Sequence, residues 1–300
     1  MRRSGVYSGI GHGENAYFSY RSRLYRFHQA SNQLSLEMRF KRGNGPLQFC
    51  AVEKITGFDD CLLFGEYFGN ANKDPIRIYQ KKEHRDWQPI YSFAAGELNH
   101  IHNIVPDPYR DCLWVLGGDF GEAASIWQVR NNFRTVRRIV SGSQKYRACV
   151  AFPTKQGLLY ATDSQLAKNS IRLLEEKAGR WQSVEVAPLN GPSIYGCATK
   201  DYYVFSTSTE PTKDYKNKYA AMLDNRPASV IEENRSFIIT CAKSDFRCSV
   251  LSSKQKDRWP YRMFQFGSIT FPGGINPSNM LYTHSIGSSQ DDLAMEVWQL

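Results

Sequence analysis

The chain has seven cysteines in 300 residues but no C-x-x-C pair, which argues against both a zinc ribbon and a dithiol redox centre. It has no apolar run long enough for a membrane span, and "MRRSGVYSGIGHGENAYF" contains no apolar segment that would make a secretory leader. G-x-S-x-G and P-loop motifs are missing. "GIGHGE" (residues 9–14) mimics a glycine-rich loop, but no helical pattern follows it to receive a phosphate. Concentrated basic charge is also missing. The net charge is +9, yet "QKKEHR" (80–85) and "RTVRRIV" (134–140) are short and read as solvated strand edges. Nucleic acid is therefore not expected as a partner, whereas an anionic ligand such as an acidic polysaccharide is. Most cysteines lie in apolar runs ("QFCAV", "CLWVL", "RACVAF"), where the thiol acts as a small buried hydrophobe. That usage points to a reducing compartment and a cytoplasmic protein, or a periplasmic one if a leader has been removed.

Helical periodicity is scarce, and strand-like runs broken by Gly, Pro, Asn and Asp take its place. Aromatics reach 13%, suited to pleated, half-buried surfaces. The runs recur as a module of about 45 residues, the spacing of propeller blades. One copy reads "QFCAVEKI", "CLLFGEY", "PIRIYQ", "DWQPIYSF"; the next reads "HIHNIVPD", "CLWVLGGD", "SIWQVR", "TVRRIV". A third runs from "RACVAFPT" to "RWQSVEV", and a fourth from "SIYGCATK" to "RCSVLSS" with a long insertion at about 211–236. The last ends on the strand "AMEVWQL", and a less regular copy begins at "NAYFSY". The expected fold is a single all-β domain, 1–300, a β-propeller of six blades with five or seven left open. Its ring is expected to close by pairing "SGVYSGIG" with the C-terminal strand, which removes an exposed edge.

In such a blade the start of the innermost strand and the end of the second emerge on one face. That frame collects His100, His102, Arg147 and Tyr195 from strand starts. From strand ends it collects Glu66, Tyr67, Asp119, Asp163, Ser164 and His284. Arg21, after "AYFSY", joins them as a further cation for a sugar carboxylate. His100 and His102 are two residues apart and so face one side of a strand, roughly 7 Å apart along it. They suit a general base with its neighbour, or, with Glu66, Asp119 or Asp163, a metal; no cofactor is required, and a divalent ion stays open. Glu66, Asp119 and Asp163 are the candidate acid–base carboxylates. Arg147 is the candidate partner of a sugar carboxylate. Tyr67, Ser164, Tyr195 and His284 are candidate sugar contacts.

Three stretches carry a resemblance. "FGEYFGN…PIRIYQ…W", "HIHNIVPDPYRDCLWVLGGDF" and "LLYATDS" resemble the sialidase-like, BNR-repeat propellers. They resemble most those found with bacterial surface-polysaccharide biosynthesis genes, over a span from about Cys50 to the end. The S-x-D-x-G-x-x-W box of that family has only a faint counterpart in "KKEHRDW" (81–87), without its serine, aspartate and glycine. The resemblance implies a propeller and a carbohydrate context, without a mechanism. The function expected is action on, or recognition of, an acidic oligo- or polysaccharide or sugar conjugate by hydrolysis or elimination. The alternative is a non-catalytic scaffold that binds glycan or other polysaccharide-assembly proteins.

Overall fold

The structure is a computed structural model and describes residues 5–83, 85–212, 217–274 and 276–300. Its strands form six antiparallel sheets. The first holds β1 (Ser8–His12), β2 (Asn15–Tyr20), β3 (Arg23–His28) and β4 (Gln33–Arg39). The second holds β5 (Phe49–Val52), β6 (Cys61–Gly65), β7 (Ile76–Lys81) and β8 (Gln88–Phe93). The third holds β9 (His100–Asp107), β10 (Cys112–Gly118), β11 (Ser125–Arg130) and β12 (Thr135–Ser141). The fourth holds β13 (Ala148–Pro153), β14 (Leu158–Thr162), β15 (Asn169–Lys177) and β16 (Arg180–Leu189). The fifth holds β17 (Tyr195–Ala198), β18 (Tyr202–Ser206), β19 (Arg235–Ala242) and β20 (Cys248–Gln255). The sixth has three described strands, β21 (Ser268–Thr270), β22 (Met280–Ile286) and β23 (Met295–Gln299). In every sheet strands adjacent in sequence are adjacent in space, and the six are the blades of a β-propeller. By compactness the chain divides into two units of three sheets. One runs to Arg147 and takes in Pro153–Lys155; the other comprises Ala148–Phe152 and Gln156–Leu300.

The expected ring closure is not what the N-terminal strand does. Ser8–His12 pairs with Asn15–Tyr20 in its own sheet, His12 opposite Asn15. Gly13, at φ 56°, turns a two-residue hairpin there. Closing so short a loop costs little entropy beside recruiting a strand from the far end of the chain. "GIGHGE" is that hairpin; Ser4 lies outside the described residues, as does His84 of the "KKEHRDW" stretch. The insertion holds one short helix, α1 (Lys218–Leu223), which the strand-dominated pattern did not show. Asn217 Oδ1 caps it, accepting from the amides of Tyr219 and Ala220. Lys213–Lys216, also in the insertion, lie outside the described residues.

Cores form where aromatic and aliphatic side chains alternate inward. Phe64 stacks on Tyr79 at 5.0 Å and lies 4.9 Å from the Trp87 ring. Cys50 and Cys112 are buried thiols, Cys112 pushed up to about 12 by desolvation, as small hydrophobes should be. Cys241 and Cys248 depart from that reading. The β19–β20 register sets them opposite each other, Cα–Cα 4.1 Å, and they form a disulfide. A spacing of seven fits no redox or zinc motif, so only the hairpin register reveals the pair.

The β9–β10 hairpin is held from below by one carboxylate. Asp107 is wholly buried. Its Oδ1 accepts from the amides of Tyr109 and Arg110, closing the turn. Its Oδ2 accepts from Trp114 Nε1 at 2.8 Å and Arg110 Nη1 at 3.0 Å. Arg110 in turn donates to the Thr154 carbonyl. Removing Asp107 takes the acceptor from a buried indole N–H and the counter-charge from the Arg110 guanidinium. Asp107→Ala should cost about 3–5 kcal/mol in urea unfolding, whereas Lys168→Ala, breaking the exposed pair with Glu232, should cost under about 1 kcal/mol.

Candidate functional site

At the other end of that hairpin the sequence becomes chemical. In β10, Gly117 and Gly118 are strand residues, not a turn. A Cβ at Gly118 would collide with the His102 ring, and one at Gly117 with Leu98. The glycines are therefore clearance for an imidazole. Opposite them the register slips: Leu116 pairs with Asn103, Gly117 with Ile101 and Gly118 with His100. His102 is the extra residue of this β-bulge, a device that re-aims a side chain. Gly65 gives similar room to Ile101, whose amide donates to the Glu66 carbonyl at 3.0 Å.

The result is tighter than same-face strand geometry predicts. His100 Nε2 and His102 Nε2 are 3.0 Å apart. Asp119 Oδ1 lies 3.1 Å from the first and 3.2 Å from the second. Arg147 Nη2 reaches the same oxygen at 3.2 Å, with its guanidinium over the Phe120 ring. Tyr67 covers the pair, its ring centroid 4.4 Å from His100 and 6.0 Å from His102. His100 Nδ1 faces the Phe68 carbonyl at 3.1 Å, and a carbonyl only accepts, so that nitrogen carries the proton. The Asp119 amide donates to Asn99 Oδ1, and its carbonyl accepts from Gln144 Nε2. Asn99, Phe68 and Gln144 were not apparent from sequence; only the place of Asn99 directly before His100 hinted at a role.

Burial, with repulsion from the charges of His100 and Arg147, lowers His102 to about 4 even against the Asp119 carboxylate. Burial alone would raise Asp119. Hydrogen bonds from both imidazoles and the Arg147 charge outweigh it and hold the carboxyl well below the carboxylate range. Access comes from the Asp119 side, where the side chain is 22% exposed; the His102 side chain is 1% exposed.

Glu66 turns elsewhere. Its Oε2 accepts from the Arg77 amide at 2.9 Å. It lines a groove of about 550 Å³ with Arg39, Lys41, Arg42, Arg77 and Tyr67. A larger cavity of the same unit, about 760 Å³, contains none of the predicted site residues. Three pairs of its ionisable groups engage each other, His12 with Glu53, His28 with Glu14 and Lys81 with Glu37. Arg21 is exposed on the β2–β3 turn against the Tyr20 ring.

In the second unit Asp163 follows β14 and accepts from Cys149 Sγ at 3.3 Å. The Ser164 hydroxyl accepts from the amides of Leu166 and Ala167, so it closes a turn. Tyr195 opens β17 opposite Ser206, and His284 lies within β22, two residues short of its end.

No family model matches the chain, and no curated protein matches it. Among solved structures it is similar to the computationally designed Ika8 protein. That match has 8% identity and a TM-score of 0.53, over 99% of this chain and 71% of that one. The chain has a propeller fold. It is more weakly similar to Kluyveromyces lactis Hsv2, with 10% identity and a TM-score of 0.48 over 98% and 74% of the two chains. An oligogalacturonate lyase from Vibrio parahaemolyticus matches with 10% identity and a TM-score of 0.49 over 81% and 64%. Identities this low speak for the fold alone. No helix among the described residues is long and apolar enough to cross a membrane.

Glu66 offers a test of the groove. Desolvation raises its carboxyl above the ordinary value, against hydrogen bonding from the Arg77 amide and the charges of Arg77 and Arg42. A raised folded-state value means stability that is full below the carboxylate range and lost as pH rises through it. Glu66→Gln should therefore be more stable than wild type to urea at pH 7, with the gap closing as pH falls to about 4. A gap that widens on acidification contradicts the assignment.

Proposed function

We propose that the chain is a carbohydrate-active propeller that takes an acidic glycan across the cationic groove into the His100–His102–Asp119–Arg147 centre. Tyr67 carries this reading. Its ring rests on His100, and the residue also lines the groove with Arg39, Lys41, Arg42 and Arg77. A sugar held there has cations for its acid groups and imidazoles beside it.

The donor set favours elimination over hydrolysis. Glycoside hydrolysis uses two carboxyl groups across the bond. Among the described residues of this unit, the carboxylate held at the histidines is Asp119, with Glu66 turned into the groove. Elimination needs a base to take the proton from the carbon next to the sugar carboxylate. It also needs a cation to hold the charge that develops there; the freed electron pair becomes the C=C bond, the bond from the neighbouring carbon to the glycosidic oxygen breaks, and the proton taken by the base passes to that oxygen, which leaves as an alcohol. The imidazole pair supplies the base and Arg147 the cation. The Arg147–Asp119 ion pair also favours a second reading, a non-catalytic glycan-binding scaffold, because it engages both groups with each other.

A panel of uronate-containing polysaccharides, followed by ultraviolet absorbance of the unsaturated product and by reducing ends, separates the two. Elimination raises both signals, hydrolysis only the reducing ends, and a scaffold neither while still binding. His102→Ala should lower kcat by about 10²–10⁴-fold. Lys41→Glu with Arg39→Glu should instead raise KM. Full turnover in His102→Ala removes the centre from the mechanism.

A further inference from the structure

We infer that His100, His102 and Asp119 form a binding site for a first-row divalent cation. The inference goes beyond glycan chemistry and stands whether or not a glycan is the substrate. His100 Nε2, His102 Nε2 and Asp119 Oδ1 form a nearly equilateral triangle with edges of 3.0, 3.1 and 3.2 Å. An ion bonded at about 2.1 Å sets neighbouring ligands about 3.0 Å apart in octahedral and about 3.4 Å apart in tetrahedral geometry. The observed edges fall within that interval. Two imidazoles and one carboxylate on one face is a donor set suited to Zn, Fe, Co, Ni or Mn rather than to calcium.

The donor atoms point the same way. His100 Nδ1 is engaged by the Phe68 carbonyl, which leaves Nε2 to face the triangle. His100 Nε2, His102 Nε2 and Asp119 Oδ1 are each an atom that can ligate a metal, and they meet within one small cluster.

The surroundings are those of an outer shell. The Phe68 carbonyl orients one imidazole and Arg147 braces the carboxylate oxygen. Gly118 keeps the third position clear for the His102 ring, and the part-exposed Asp119 leaves a side for water or substrate to complete the coordination. Arg147 beside the same oxygen lowers affinity for a dication, so we expect binding of a borderline metal and not of Mg²⁺ or Ca²⁺.

The test uses the tag-free 300-residue chain stripped with chelator. Calorimetry with Zn²⁺, Mn²⁺ and Mg²⁺ is paired with visible spectroscopy of added Co²⁺. The expected result is one Zn²⁺ or Co²⁺ per chain with ligand-field bands, at least about 100-fold weaker in His102→Gln and in Asp119→Asn. Circular dichroism shows whether each variant folds. Because wild type is tested directly, absence of a saturable Zn²⁺ or Co²⁺ site in it overturns the inference whatever the variants do. So does undiminished binding in both folded variants. Polysaccharide turnover is assayed separately: metal binding without turnover leaves this inference intact and sinks the elimination reading, and the reverse result does the opposite.

Discussion

One carboxylate oxygen, Asp119 Oδ1, sets the terms for the site. Two imidazole nitrogens and a guanidinium converge on it within 3.2 Å. A charge placed there would be costly in isolation, and burial alone would push the carboxyl upward. The convergent donors keep it ionised instead, and in doing so they hold His100, His102 and Arg147 in one place. Much of the local backbone serves that arrangement. Asn99 holds the Asp119 amide, Gln144 its carbonyl, and Phe68 the far nitrogen of His100.

The hairpin that delivers these groups is stabilised at opposite ends by two aspartates with different duties. Asp107 is buried beneath Trp114 and Arg110 and closes the turn. Asp119 stands at the accessible end, where a ligand can reach it. The stretch "NHIHNIVPDPYRDCLWVLGGDF" therefore encodes a wholly buried carboxylate at the turn and a part-exposed one beside the histidines, about a dozen residues apart. Gly117 and Gly118 show how misleading composition is without packing. Gly-Gly before Asp is the usual signature of a turn, yet here both glycines lie in β10 and are small because neighbouring side chains occupy the space a Cβ would take.

The blade pattern was legible because its causes are local. Apolar runs of strand length separated by turn residues specify hairpins, and sequential strands pair with their neighbours. "HIHNIVPD" and "SIWQVR" coincide with β9 and β11 to the residue. Strand ends were less legible: β18 stops at Ser206, well before the end of "YYVFSTSTEP". The N-terminal strand went to its own hairpin rather than to β23, and the Cys241–Cys248 pair follows from register alone. Ser164 was a candidate sugar contact by position; what position did not show is that its hydroxyl also closes a turn by accepting from the amides of Leu166 and Ala167.

By itself the sequence determined the all-β class, the repeated unit and the residue types available for chemistry, because periodicity and turn chemistry act over a few residues. Only the tertiary structure decided which of those residues meet. A bulge of one residue at His102, the missing Cβ of Gly118 and the backbone bonds of Asn99 bring two imidazoles to 3.0 Å, where strand spacing alone would hold them about 7 Å apart. The same packing turned Glu66 into the groove with Arg77. Convergence of this kind depends on side-chain volume between neighbouring strands and on register, and neither is written in the spacing of the residues.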